Sequence, residues 1–160
     1  MKVYCRGNSP VISRKEIKYA AKFMSSLIMS HQLTSRLNIF IEFIDNIIDG
    51  DTGKQIMGDC MWTDDNTSPR EFKICINSKI RKKTQLITLS HELVHVKQYA
   101  SGETKDVIRG PSNVKWKKQY IHEHKIHYYD LPWEIEAHGR EKGMYIRYLE
   151  HLKKEKIKFE

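Results

Sequence analysis

His91-Glu92-Leu93-Val94-His95 places two imidazoles and a carboxylate within five residues. On an α-helix, residues four apart share a face, so His91 and His95 can point at one place. Neutral imidazole is a good zinc ligand, and two rings one turn apart can share an ion with almost no backbone adjustment. Glu92 projects to the side of that point, where a carboxylate can take a proton from a zinc-activated water attacking a carbonyl. The spacing therefore predicts two metal ligands and a general base on one helix. The His and Glu content of this chain yields only roughly 0.03 chance HExxH matches. Apolar Leu86, Ile87, Leu89, Leu93, Val94 and Val96 surround the polar trio, a pattern that separates a buried active-site helix from two surface histidines on a solvated one.

A catalytic zinc usually has three protein ligands and one open position. The third must come from elsewhere in the chain, and Pro132-Trp133-Glu134-Ile135-Glu136-Ala137-His138 is the best source. At ~100° per residue, Glu134 and His138 share a helical face while Glu136 points about 160° away from Glu134. Spacing alone leaves Glu134, Glu136 and His138 as alternatives. A second cluster, His122, His124 and His127, has no carboxylate or thiolate at metal-site spacing and reads as solvated histidines on a hairpin edge.

Several elements must position these residues. Val3-Tyr4-Cys5 reads as extended, and Asn8-Ser9-Pro10 as a turn. Ser13-x-x-Glu16 forms a capping box for a first helix, with Ile17, Ala20, Ala21, Met24, Leu27 and Ile28 as its apolar stripe to about Ser30. Asn38 to Ile44 is β-branched and aromatic and reads as a buried strand. Asp45 to Lys54 is a turn, because it lacks the full spacing of a calcium loop. Gln55 to Trp62 and Arg70 to Ile76 read as two strands joined by a polar loop. Thr84 is the expected N-cap of the HExxH helix, which should stop near Ala100 with Gly102. Val114 to Tyr120 and His122 to Tyr129 read as a hairpin. Pro132 starts a last helix to about Lys154, with Ile135, Gly139, Gly143, Ile146, Leu149 and Leu152 as its expected inner face. The expected fold class is α+β: an N-terminal helix, a three-stranded mostly antiparallel sheet, the HExxH helix, a hairpin-like insertion and a long C-terminal helix.

The chain has 160 residues, 39% hydrophobic and 30% charged, which suits one domain spanning 1–160 with a sizeable core. It shows no run of 18 apolar residues and no leader pattern, so neither a membrane span nor a signal peptide is expected. Cys5, Cys60 and Cys75 are odd in number and lack CxxC spacing, which reads as reduced thiols of a cytoplasmic protein. The net charge of +8 suits a polyanion or acidic surface. No helix-turn-helix, RNP or zinc-finger pattern accompanies it, so a solvated basic surface is favoured over a nucleic-acid partner. Oligomeric state has no signature here.

His91-Glu92-Leu93-Val94-His95 followed by Glu134-Ile135-Glu136-Ala137 resembles the gluzincin metallopeptidases, whose pattern is HExxH plus a distal helix bearing Glu-x-x-Ala-Asp. With Val96-Lys97-Gln98-Tyr99, Trp116-Lys117 and Pro132-Trp133 added, the chain also looks like a group of small phage-encoded proteins classed as metallopeptidases. The two motifs cover about a tenth of the chain. The resemblance implies a zincin-like domain with His91, His95 and Glu134 as zinc ligands and Glu92 as general base and acid. It further implies a peptide or protein substrate and, if phage-encoded, action in the host cytoplasm. The family's Asp, four residues after the ligand Glu, orients a ligand histidine. Here that position is His138. The resemblance also implies that Arg70 to Ile76 is the sheet edge along which an extended peptide adds. Tyr128, Tyr129, His127 and His122 are candidates for stabilising an oxyanion.

Three functions therefore compete at the level of sequence. They are a zinc-dependent endopeptidase, a non-catalytic zinc-stabilised structural or assembly protein, and a basic nucleic-acid-associated factor.

Overall fold

Lys2–Arg6 forms the first strand, β1, and leads through the Asn8–Pro10 turn into helix α1, Arg14–Ile28. This is a computed structural model, and it describes residues 1–50, 52–106 and 114–159. The Ser13 hydroxyl accepts the Glu16 N–H and starts α1 as expected. The Glu16 carboxylate is drawn inward to a 2.7 Å ion pair with Lys82. Ile17, Ala20, Ala21 and Met24 are fully buried, and Ile17 and Met24 each stabilise the core by about 1.5–3 kcal/mol. A short helix α2, His31–Ser35, then feeds β2, Asn38–Ile44. The polar excursion that follows ends in β3, Gly58–Trp62, and β4, Glu71–Asn77.

The sheet runs β1-β2-β4-β3. β1 pairs parallel with β2, β2 parallel with β4, and only β3 with β4 is antiparallel. The α+β class is therefore as read, but the sheet has four strands, and two of its three pairings are parallel. The reason is α1: a helix between β1 and β2 lets the chain return in the same direction, whereas a hairpin would reverse it. Alternate residues Ile39, Ile41 and Phe43 of β2 and Phe72, Ile74 and Ile76 of β4 form one core with the helices. Arg70 to Ile76 is correspondingly not an edge. β4 lies inside the sheet, and the edge on that side is β3.

The HExxH helix is α3, Lys82–Ala100. It begins two residues before Thr84, and its N-cap Arg81 makes no side-chain capping bond. Tertiary contacts hold this start instead: Lys82 pairs with Glu16, and the Gln85 amide donates to the carbonyls of Asn77 and Ser78, both at 3.1 Å. Gly102 takes φ +76 and stops the helix where expected. Beyond it, β5 (Thr104–Asp106), β6 (Val114–Trp116) and β7 (Gln119–Ile121) form a second, antiparallel sheet. Residues 107–113 lie outside the described residues. The hairpin is tighter than expected, because Lys117 adopts φ 53 and reverses the chain immediately after Trp116. His122 to Tyr129 therefore does not pair with it, and 3-10 turns form at Glu123–Lys125 and Tyr128–Asp130. Val114, Trp116, Leu131 and Trp133 make a satellite core under this region.

The last helix, α4, spans Pro132–Lys154. Its buried face is Trp133, Glu134, Ala137, Met144 and Tyr148, whereas Ile135, Ile146 and Leu149 are 57, 52 and 43% exposed. Gly139 and Gly143 face open space, with no helix among the described residues within 4 Å of a Cβ at either. Of the expected inner face Leu152 packs against the core, but the rest was wrong because apolar periodicity assumes an apolar neighbour. α4 packs against α3 where α3 presents histidines, so its inner face carries carboxylates. No helix among the described residues is long and apolar enough to cross a membrane. Cys5, Cys60 and Cys75 carry no disulfide.

Candidate metal centre

α3 supplies His91, Glu92 and His95 on adjacent turns, and the start of α4 brings Glu134 against them. His91 Nε2 and His95 Nε2 lie 3.0 Å apart. Glu134 Oε2 is 3.3 Å from the first and Oε1 3.4 Å from the second. Around a tetrahedral ion with ~2.0–2.2 Å bonds, ligand atoms are separated by ~3.3–3.6 Å. The three donors therefore already stand at close to the separations that such an ion imposes. His91, Glu134 and His138 likewise offer ligand atoms within 4.8 Å of one another, so His138 stands beside the site as well.

Each ring is fixed by an acceptor at its far nitrogen. His91 Nδ1 lies 2.9 Å from Glu141 Oε2, and His95 Nδ1 lies 2.9 Å from Gln98 Oε1. A carboxylate or amide oxygen accepts only, so both Nδ1 atoms carry a hydrogen and both Nε2 atoms face the shared point. Two lone pairs at 3.0 Å beside a carboxylate repel unless positive charge sits among them, a requirement met either by a proton on Nε2 donated to Glu134 or by a metal cation. The electrostatics agree. Burial opposes a charged His95, yet hydrogen bonding to Glu134 and the nearby Glu92 raise its pKa to about 9. Burial likewise pushes Glu134 up, but hydrogen bonds from His91 and His95 hold it well below the ordinary carboxylate range.

Glu136 is excluded from the centre by geometry. Its carboxylate accepts from Lys97 Nζ at 3.0 Å, Gln98 Nε2 at 3.1 Å and Arg140 Nε at 3.0 Å. It thus steadies Gln98, which steadies His95. Of the residues considered for an oxyanion, Tyr128 donates its hydroxyl to Glu134 Oε2 at 2.6 Å and acts as an orienting group. Tyr129 is 64% exposed, with its ring 5.3 Å from that of His138. His127 stacks on Tyr129, and His122 and His124 join no cluster of metal-ligating groups among the described residues.

Glu92 is buried beside the histidines. Desolvation raises its pKa to about 7 against the opposing pull of His95 and His91. Its carboxylate lies against Gly58 of β3: a Cβ at that position would fall 3.1 Å from Glu92 Oε1, 2.3 Å from the Thr88 methyl and 3.0 Å from the Cys75 carbonyl. Only glycine lets the edge strand approach so closely. At the other end of β3, Trp62 packs its ring 4.6 Å from Tyr99. The sheet edge is thus fastened along α3, with Glu92 at its start.

Glu141, Gln98 and Gly58 were not singled out from sequence. Gln98 carried a signal, three residues after His95 on the same helix. Glu141 carried a weaker one, seven residues after Glu134 and so on the same face. Gly58 carried none, because its role depends on which strand ends beside α3. Comparison with protein-family models, curated proteins and solved structures finds no match for this chain.

Proposed function

We propose that this chain is a zinc-dependent endopeptidase of the gluzincin type. The observation that carries the reading is the convergence of His91 Nε2, His95 Nε2 and the Glu134 carboxylate at 3.0–3.4 Å, with the buried Glu92 beside them. The donor set of two imidazoles and one carboxylate fits zinc in a hydrolytic centre. Zinc held there supplies Lewis acidity toward a carbonyl oxygen and makes water acidic enough to ionise near neutral pH.

The protein's own residues supply the rest. Glu92 accepts the proton of the attacking water and delivers it to the leaving amide nitrogen. A carboxyl poised at about 7 can do both. Among the described residues β3 pairs with β4 along one side only, so its other side offers N–H and C=O groups to an extended peptide. A peptide laid along β3 passes Glu92 near Gly58.

The test is metal analysis of the zinc-reconstituted protein together with cleavage of an unfolded protein substrate. Glu92→Gln keeps its zinc and loses at least about 10²-fold in turnover. Wild-type protein that takes up no zinc would remove the reading altogether, and a zinc-loaded Glu92→Gln that cleaves normally would remove the role of Glu92. The position of His138 favours a second reading, in which four protein donors saturate the ion and the site only braces the fold.

A further inference from the structure

His138 stands four residues after Glu134, one turn further along α4. Its Nδ1 lies 3.3 Å from Glu141 Oε2, the same carboxylate oxygen that holds His91 Nδ1 at 2.9 Å. That oxygen accepts the N–H of His91 and lies in ion-pair range of His138. The other ring nitrogen of His138 is Nε2. That atom is buried and has no hydrogen-bond partner among the described residues. The ring lies 4.6 Å from that of His91. A buried imidazole nitrogen without a partner is ready to bind a metal ion through its lone pair.

We propose that His138 Nε2 is a fourth, displaceable ligand of the metal, closing its coordination sphere until a substrate carbonyl or water takes that position. The proposal rests on the zinc reading above. His138 is the ligand that leaves because it is the least enclosed of the four. Its side chain is 36% exposed, against 11% for His91, 13% for His95 and 8% for Glu134. Its rim is formed by the aromatic rings of Tyr128 and Tyr129, 6.1 and 5.3 Å from the imidazole. His91 and His95, by contrast, sit on the buried α3, and Glu134 is tied down by Tyr128. A chain whose resting ion is capped in this way restrains its own hydrolytic activity without a separate inhibitor.

The test is imidazole ¹⁵N NMR of the full chain during zinc titration, followed by acetohydroxamate as an exogenous bidentate ligand. The expected result is that the Nε2 resonances of His91, His95 and His138 all move to metal-bound positions, and that acetohydroxamate returns only His138. His138→Ala should then bind zinc about tenfold or more weakly, while the Nε2 shifts of His91 and His95 persist. If zinc moves only the His91 and His95 resonances, the fourth ligand is disproved and the peptidase reading stands. If His138 stays bound in acetohydroxamate, its displacement is disproved and the centre is a closed structural one. If no histidine responds to zinc, the metal reading fails, and this inference with it.

Discussion

Gly58→Ala is the sharpest perturbation of the way β3 is seated on α3. The new Cβ would sit 2.3 Å from the Thr88 methyl, 3.0 Å from the Cys75 carbonyl oxygen and 3.1 Å from Glu92 Oε1. Ordinary carbon–carbon contact begins at about 3.5 Å, so β3 or Thr88 must yield by roughly 1 Å. Overpacking of that kind costs ~1–3 kcal/mol. For a domain of this size each kcal/mol lowers Tm by roughly 2–4 °C. If Glu92 is the general base proposed above, a shift of about 1 Å beside it also costs on the order of 10²-fold in turnover. The assay is a double-mutant cycle with Thr88→Ser, which removes the methyl at fault. Thr88→Ser alone costs about 1 kcal/mol of burial. In the Gly58→Ala background it restores stability, giving a coupling of about 1 kcal/mol or more of favourable sign. Denaturant midpoints read the stability, and peptide hydrolysis reads the position of Glu92. Strictly additive effects would refute the reasoning, because they would mean that the Thr88 methyl is not what excludes a side chain at residue 58.

Removing zinc with a chelator, from protein saturated at about 100 times the dissociation constant, removes ~2.7 kcal/mol of linkage stabilisation; the expected Tm drop is roughly 5–11 °C by calorimetry. Glu141→Ala removes the acceptor that holds His91 Nδ1 and should weaken zinc binding about 10–100-fold in competition titrations, while unloaded protein keeps its helical circular dichroism. Asp64 accepts the N–H groups of Arg70 and Glu71 at the loop between β3 and β4. Burial pushes its pKa up, but the Asn66 amide and those backbone donors outweigh that and hold it below the ordinary value. The unfolded chain binds this proton more readily than the folded one, so the contribution is complete above the ordinary carboxylate pKa and fades as pH falls through the lowered value. Asp64→Ala should therefore speed amide exchange at residues 70 and 71 near pH 7 and have little effect near pH 2.

What the sequence determined by itself was whatever depends on neighbours along the chain. A helix's period places His91 and His95 on one face, Ser13 caps α1, Gly102 ends α3, and β-branched and aromatic residues mark Asn38–Ile44 as a strand. These are interactions within a turn or a few residues, and the chain cannot hide them. Only the tertiary structure put Glu134 rather than Glu136 beside His91 and His95, because that placement depends on which face of α4 meets α3 and which face binds Lys97 and Arg140. It also reversed the expected inner face of α4, where carboxylates are buried against imidazoles and isoleucines are left outside. The parallel sheet, the edge position of β3 and the seating of Gly58 against Glu92 belong to the same class. Each is a contact between segments far apart in sequence, whose partners no local pattern names.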